Sequence, residues 1–89
     1  MEIEFDPEKA AANLAKHGVP LVSGTVVLEN CIGRVNDDRF DYGEQRINAF
    51  GLINGRLFVC TYTMRGEVCR LISVRQASRK ERSIWLPSR

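Results

Sequence analysis

A single histidine, three cysteines with no C-x-x-C pair, and no cluster of carboxylates narrow the chemistry open to this chain. Cys31, Cys60 and Cys69 are odd in number and widely spaced, which argues against a disulfide framework and against a zinc site. A two-metal centre needs clustered acids, and the acidic residues here sit mostly in turn-like stretches and near the start, so no metal or cofactor is expected. One histidine and no nucleophile elbow leave a Ser-His-Asp triad unsupported, and Ser73 has no base patterned beside it. No apolar run approaches the roughly 20 residues that span a bilayer. The opening Met1-Glu2-Ile3-Glu4 is acidic where a signal peptide is basic, so a cytoplasmic location is expected.

What is present fits one soluble domain over residues 1–89, with 44% hydrophobic and 27% charged residues. The net charge of +2 conceals a division along the chain. Residues 1–44 carry four Lys/Arg against nine Asp/Glu, whereas residues 65–89 carry seven against two. Such a chain offers a basic face to polyanions while the rest of its surface stays acidic. The plainer reading is that a basic final helix only keeps the terminus soluble.

Local signals predict an α+β protein. Ile3 and Phe5 alternate with Glu2 and Glu4, a short strand. Asp6 stands at an N-cap position, Pro7 at the first helical position and Glu8 in the first turn; Gly18 supplies the stop and Pro20 blocks continuation, so a helix is expected over 7–17. A weaker helix over about 20–29 contains Gly24, Thr25, Val26 and Val27, poor helix formers, and depends on packing of Leu21, Val22, Val26 and Leu28. Arg34-Val35 opens a short strand, and Cys31 is expected in a turn. Runs at about 45–53, 56–64 and 67–76 read as strands joined by Asn54-Gly55 and Arg65-Gly66. A helix over 77–86 ends before Pro87. The architecture expected is an antiparallel four- to five-stranded sheet with N-terminal helices and a short C-terminal helix.

Two segments hold the candidate functional residues. Ala10, Asn13, Leu14 and His17 share one helix face, with His17 where the helix dipole favours a cation. His17 there is either a phosphate-binding cation or acid–base group, or a side chain that merely caps the last carbonyls. In the strand 68–75, a period of two sets Arg70 with Val68, Ile72 and Val74, and Arg75 on the opposite face with Cys69, Leu71 and Ser73. Arginines in so apolar a strand need anionic partners, whether an internal carboxylate such as Asp6 or Glu81 or a substrate phosphate. Arg79 and Arg82 share a face of the last helix, as a phosphate track or a solvated face. Lys16 adds to the local field, and Arg46 and Arg65 read as structural.

The pattern Phe5-Asp6-Pro7, Lys9, Asn13, Lys16-His17-Gly18, followed by Arg70, Ile72-Ser73, Arg75, Ala77 and Glu81-Arg82, resembles the BrnT family of bacterial toxins. The likeness spans nearly the whole chain. The chain differs in carrying Val74 where the family usually has Ala, Trp85 where it has Tyr, and a 19–24 segment without the usual Phe and Glu. The resemblance implies a RelE-like fold and an endoribonuclease toxin that inhibits translation and growth. It also implies a DNA-binding BrnA-type antitoxin in a heterotetramer with two toxin copies, so that DNA is met only through the antitoxin. Metal-free RNA cleavage uses the 2′-OH as nucleophile, so the protein need only orient the phosphate, stabilise its charge and move protons. His17, Arg70 and Arg75 are the expected catalytic residues, with Lys16, Arg79 and Arg82 as substrate contacts. The alternative is a non-catalytic RNA- or protein-binding module using the same basic C-terminal face.

Overall fold

The computed structural model describes residues 2–39 and 41–86. The elements run β1 (Glu2–Glu4), α1 (Pro7–His17), a 3-10 turn (Leu21–Ser23), α2 (Gly24–Glu29), β2 (Cys31–Asn36), β3 (Ile47–Ile53), β4 (Arg56–Arg65), β5 (Val68–Gln76) and α3 (Arg79–Trp85). The α+β order expected from the sequence is the order found. The five strands form one sheet in the order β1-β5-β4-β3-β2, antiparallel except where β1 joins β5 in parallel. That parallel edge follows from α1, which returns the chain across the sheet before the meander begins.

Helix α1 forms where its caps require. The Asp6 carboxylate accepts a hydrogen bond from the Glu8 amide at 2.9 Å, and Gly18, at φ +69°, donates its own N–H to the Leu14 carbonyl at 2.8 Å. The weak second helix divides into the 3-10 turn and a six-residue α2. Leu21 and Val27 are its buried anchors, while Val22 and Val26 point outward, contrary to the packing expected from the sequence. Backbone proximity makes up for low propensity. A Cβ on Gly51 of β3 would lie 2.1 Å from the Val27 carbonyl oxygen, so only glycine lets α2 lie this close to the sheet. Cys31 belongs to the start of β2, not to a turn. Leu14, on the α1 face shared with Asn13 and His17, is half exposed. Helix α3 ends at Trp85; Pro87, the expected stop, lies outside the described residues.

Residues Asn54 and Gly55 both have positive φ, as a type I′ turn requires, and set Ile53 opposite Arg56. Between β4 and β5 the register breaks. Thr61 faces Ser73 and Tyr62 faces Leu71, which leaves Ile72 as the extra residue of a β-bulge. The bulge overturns strict alternation along β5. Arg70 pairs with Thr63 and Arg75 with Val59, four residues apart on β4, so the two arginines share one face of the sheet and are not on opposite faces.

Both faces carry a core. Under α1 and α2 lie Leu21, Val27, Ala49, Cys60, Tyr62, Cys69, Leu71 and Val74, with Cys60 and Cys69 as free, fully buried thiols. On the other face Phe50, Leu57, Val59 and Ala77 pack with Trp85 of α3, whose ring stacks on Phe50 at 4.8 Å. Replacing Gly51→Ala should destabilise the protein by about 1–3 kcal/mol, because neither opposing backbone can move aside freely. A chemical denaturation midpoint unchanged from wild type would contradict this account of α2.

Candidate functional site

Strand β1 pairs with β5 across residues 68–70, so from Leu71 onward the outer edge of β5 has no strand neighbour among the described residues. Helix α1 takes that place. The buried Asn13 amide donates to the Val74 carbonyl at 2.9 Å and accepts from the Val74 N–H at 3.0 Å. Its second N–H goes to the Val19 carbonyl at 2.8 Å, which ties down the chain after the helix. One side chain thus supplies the pair of bonds that a neighbouring strand would make. The sequence reading set Asn13 beside His17 but not this role.

His17 lies one helical turn further on, and its position follows from the clamp. Beside it is a shallow hollow of about 200 Å³ lined by Lys9, Ala12, Asn13, Lys16, His17 and the bulge residues Ile72 and Ser73. No carboxylate lines it. Partial burial, then the adjacent Lys16 and Arg75 cations, pull the His17 pKa below its ordinary value. Burial and the two cations oppose the preference of the helix end for imidazolium and favour the neutral ring. The structure therefore brings together His17, Lys16, Ser73 and the charge of Arg75.

The other expected residues stand apart or are engaged. Arg70 pairs with Glu4 at 3.2 Å, a partner other than the Asp6 or Glu81 expected. Arg75 makes a two-pronged contact with Glu81, at 2.7 and 2.9 Å. Glu81 also accepts the Ser78 amide in a capping box that starts α3, and the Arg75 guanidinium with that amide holds its carboxyl down at about 2. Arg79 is exposed at the start of α3, and Arg82 donates to the Ala77 carbonyl at 3.0 Å. Arg46 and Arg65 both reach Glu44, with Arg46 also over the Tyr42 ring, consistent with structural roles. Among the described residues no three His, Cys, Asp or Glu side chains gather as metal ligands.

A row of uncharged polar residues was not anticipated. Asn48, Thr61 and Ser73 lie side by side across β3, β4 and β5, with the Thr61 hydroxyl donating to the Asn48 carboxamide oxygen at 2.6 Å. They share the sheet face of Arg70 and Arg75. Each interrupts an apolar strand, and that interruption was the available signal.

A helix-clamped sheet edge with a histidine beside cations is chemically suited to a phosphodiester. The comparison with known families names the class of protein. Residues 5–81 match the family model described as "Ribonuclease toxin, BrnT, of type II toxin-antitoxin system", and the chain belongs to that family. No curated protein matches it. The match favours the ribonuclease reading over a non-catalytic module, with RNA as target and an antitoxin as partner.

Asn13→Ala would leave the Val74 N–H and carbonyl without partners and should cost on the order of 3 kcal/mol. Asn13→Asp should also destabilise, since a carboxylate would face the Val19 and Val74 carbonyls. Hydrogen exchange at the Val74 amide reports the clamp directly. Unchanged protection in Asn13→Ala would show that α1 is held by something else.

Proposed function

We propose that this ribonuclease toxin cleaves RNA without a metal, using the hollow at the β5 edge. The single observation that supports this reading most is His17, its pKa lowered, beside Lys16 and within the field of Arg75. Of the two acid–base roles, a neutral imidazole suits the general base. His17 takes the proton from the RNA 2′-OH, and the 2′ oxygen attacks the adjacent phosphorus. A 2′-O–P bond forms, the P–O5′ bond breaks, and the 5′ oxygen takes a proton from water or from the Lys16 ammonium. The products are a 2′,3′-cyclic phosphate and a 5′-hydroxyl.

Arg75 stabilises the charge that develops on phosphorus oxygens. To do so it must exchange the Glu81 carboxylate for phosphate, a swap of one two-pronged anion for another. Ser73 and the Thr61–Asn48 pair offer hydroxyl and amide groups along the approach. Arg70, held by Glu4, contributes charge at longer range.

Substitution His17→Ala should lower kcat by about 10²- to 10⁴-fold at preserved folding, and growth arrest on expression should be relieved. With His17 as base, kcat/KM should rise with pH through the lowered pKa of the free enzyme, so the half-rise lies below 6.5. Products ending in 3′-hydroxyl, or cleavage abolished by EDTA, would overturn the mechanism.

The partner is read here as a BrnA-type DNA-binding antitoxin, two toxin copies per heterotetramer, acting in the cytoplasm. Charge supports an acidic antitoxin segment over the basic C-terminal region, in competition with RNA. The outward Val22 and Val26 supply apolar surface for a dry contact. Alanine at both Arg79 and Arg82 should weaken RNA and antitoxin binding together and flatten the salt dependence of each. Antitoxin affinity that stayed the same at low and high salt would place the inhibitor elsewhere.

A further inference from the structure

A second hollow, of about 270 Å³, lies at the hairpin end of the sheet beside α3. Its lining includes Gly55, Arg56, Leu57, Ala77, Arg82 and Leu86. Leu57 and Ala77 are buried, and the Ala77 amide donates to the Leu57 carbonyl at 2.9 Å, so the floor is fixed. Leu86 leaves a half-exposed apolar wall. Two guanidiniums stand around that apolar base, and among the described residues no carboxylate lines it. Arg82 is held by its bond to the Ala77 carbonyl, which uses one of its N–H groups and leaves the rest to face the hollow. Arg56 is exposed, and its side chain makes no hydrogen bond or ion pair among the described residues.

We propose that this hollow binds one unpaired base of single-stranded RNA, with the attached phosphate on Arg56. An apolar floor under planar cations suits a nucleobase, whose faces take both aliphatic contact and guanidinium stacking. Arg56, free of internal partners, suits a phosphate. An acidic peptide would satisfy the arginines but leave the half-exposed Leu86 uncovered. A duplex would not serve, because its bases are stacked away from such a recess. From Ser73 at the first hollow to Ala77 at this one is four residues, about 13 Å at the rise of a strand, within reach of neighbouring nucleotides of one RNA. The inference rests on the ribonuclease reading of the β5 edge and adds to it a site that selects unpaired RNA next to the cut.

The test is fluorescence anisotropy with a labelled RNA oligonucleotide, 2′-O-methylated throughout to prevent cleavage, at several salt concentrations. Arg56→Ala should weaken binding about 5- to 20-fold and reduce the slope of log affinity against log salt by about 0.7. Wild type should prefer the single strand to a duplex of the same sequence. An abasic scan of the oligonucleotide should find a position where losing the base weakens binding to wild type, and more than it weakens binding to Arg56→Ala. An abasic scan in which no position weakens binding to wild type would overturn the proposal, and needs no variant to fold. So would Arg56→Ala with unchanged affinity and slope while wild type still binds and cleaves RNA, which leaves the β5-edge reading standing. Loss of antitoxin binding alone in Arg56→Ala would make the hollow a protein contact and the proposal wrong. Wild type that neither binds nor cleaves RNA would overturn both readings together.

Discussion

Asn13 holds Val74 by both its backbone groups, and the position of nearly every residue at the candidate site depends on that contact. A strand whose edge is unpaired must have its polar backbone satisfied by something else. Here the carboxamide serves, and because it sits on α1 it also fixes how the helix lies along β5. His17 is then placed one turn beyond a rigid point and not on a free helix end. The bulge at Ile72 lies two residues before the clamped Val74 and puts Ser73 and Arg75 on the same side of the sheet as Arg70. Helix, bulge and site form one unit. A functional group carried on packed elements holds its geometry better than one on a loop.

This unit also explains what the sequence disclosed. Capping at Asp6, Pro7 and Gly18 is chemistry among near neighbours, so α1 was legible to the residue. The Asn54-Gly55 turn fixes the β3–β4 register through its own φ angles, and with it the pairing of Asn48 and Thr61, which could have been read in advance. The β4–β5 register was not legible. Nothing in Leu71-Ile72-Ser73 distinguishes an extra residue from regular alternation, since all three suit a strand and the deciding bond comes from Asn13, 61 positions away. Alternation then put Arg70 and Arg75 on opposite faces. Helix α2 failed to be clear for a related reason: its residues are poor helix formers, and it forms because Gly51 admits its backbone.

Charge shows the same dependence on distant partners. The sequence set acids in the first half against cations in the last, and the fold partly joins them, with Glu4 on Arg70 and Glu44 on Arg65. Glu81 comes instead from within the basic segment and occupies Arg75. This arginine is thus pre-aligned by an anion of the geometry it is proposed to bind. Holding it costs little side-chain freedom when phosphate arrives, since the fork is already ordered.

The exchange at Arg75 ties the site to α3. Glu81 satisfies the Ser78 amide as well as Arg75, so a phosphate that takes the arginine leaves the capping box intact but removes its largest charge partner. The carboxylate, held near 2 by that arginine, remains ionised at neutral pH after release and repels an incoming anion. RNA that takes Arg75 as proposed must outcompete an internal carboxylate that does not go away. Competition of that kind lowers affinity for a lone phosphate more than for a strand with several contacts, because each further contact offsets the same fixed penalty. Arg79 and Arg82 on α3, with the hollow beside Arg56, are where such further contacts would fall. A protein whose unrestrained activity harms its own cell gains from a site that is reluctant toward mononucleotides and free phosphate, and responsive to an extended chain.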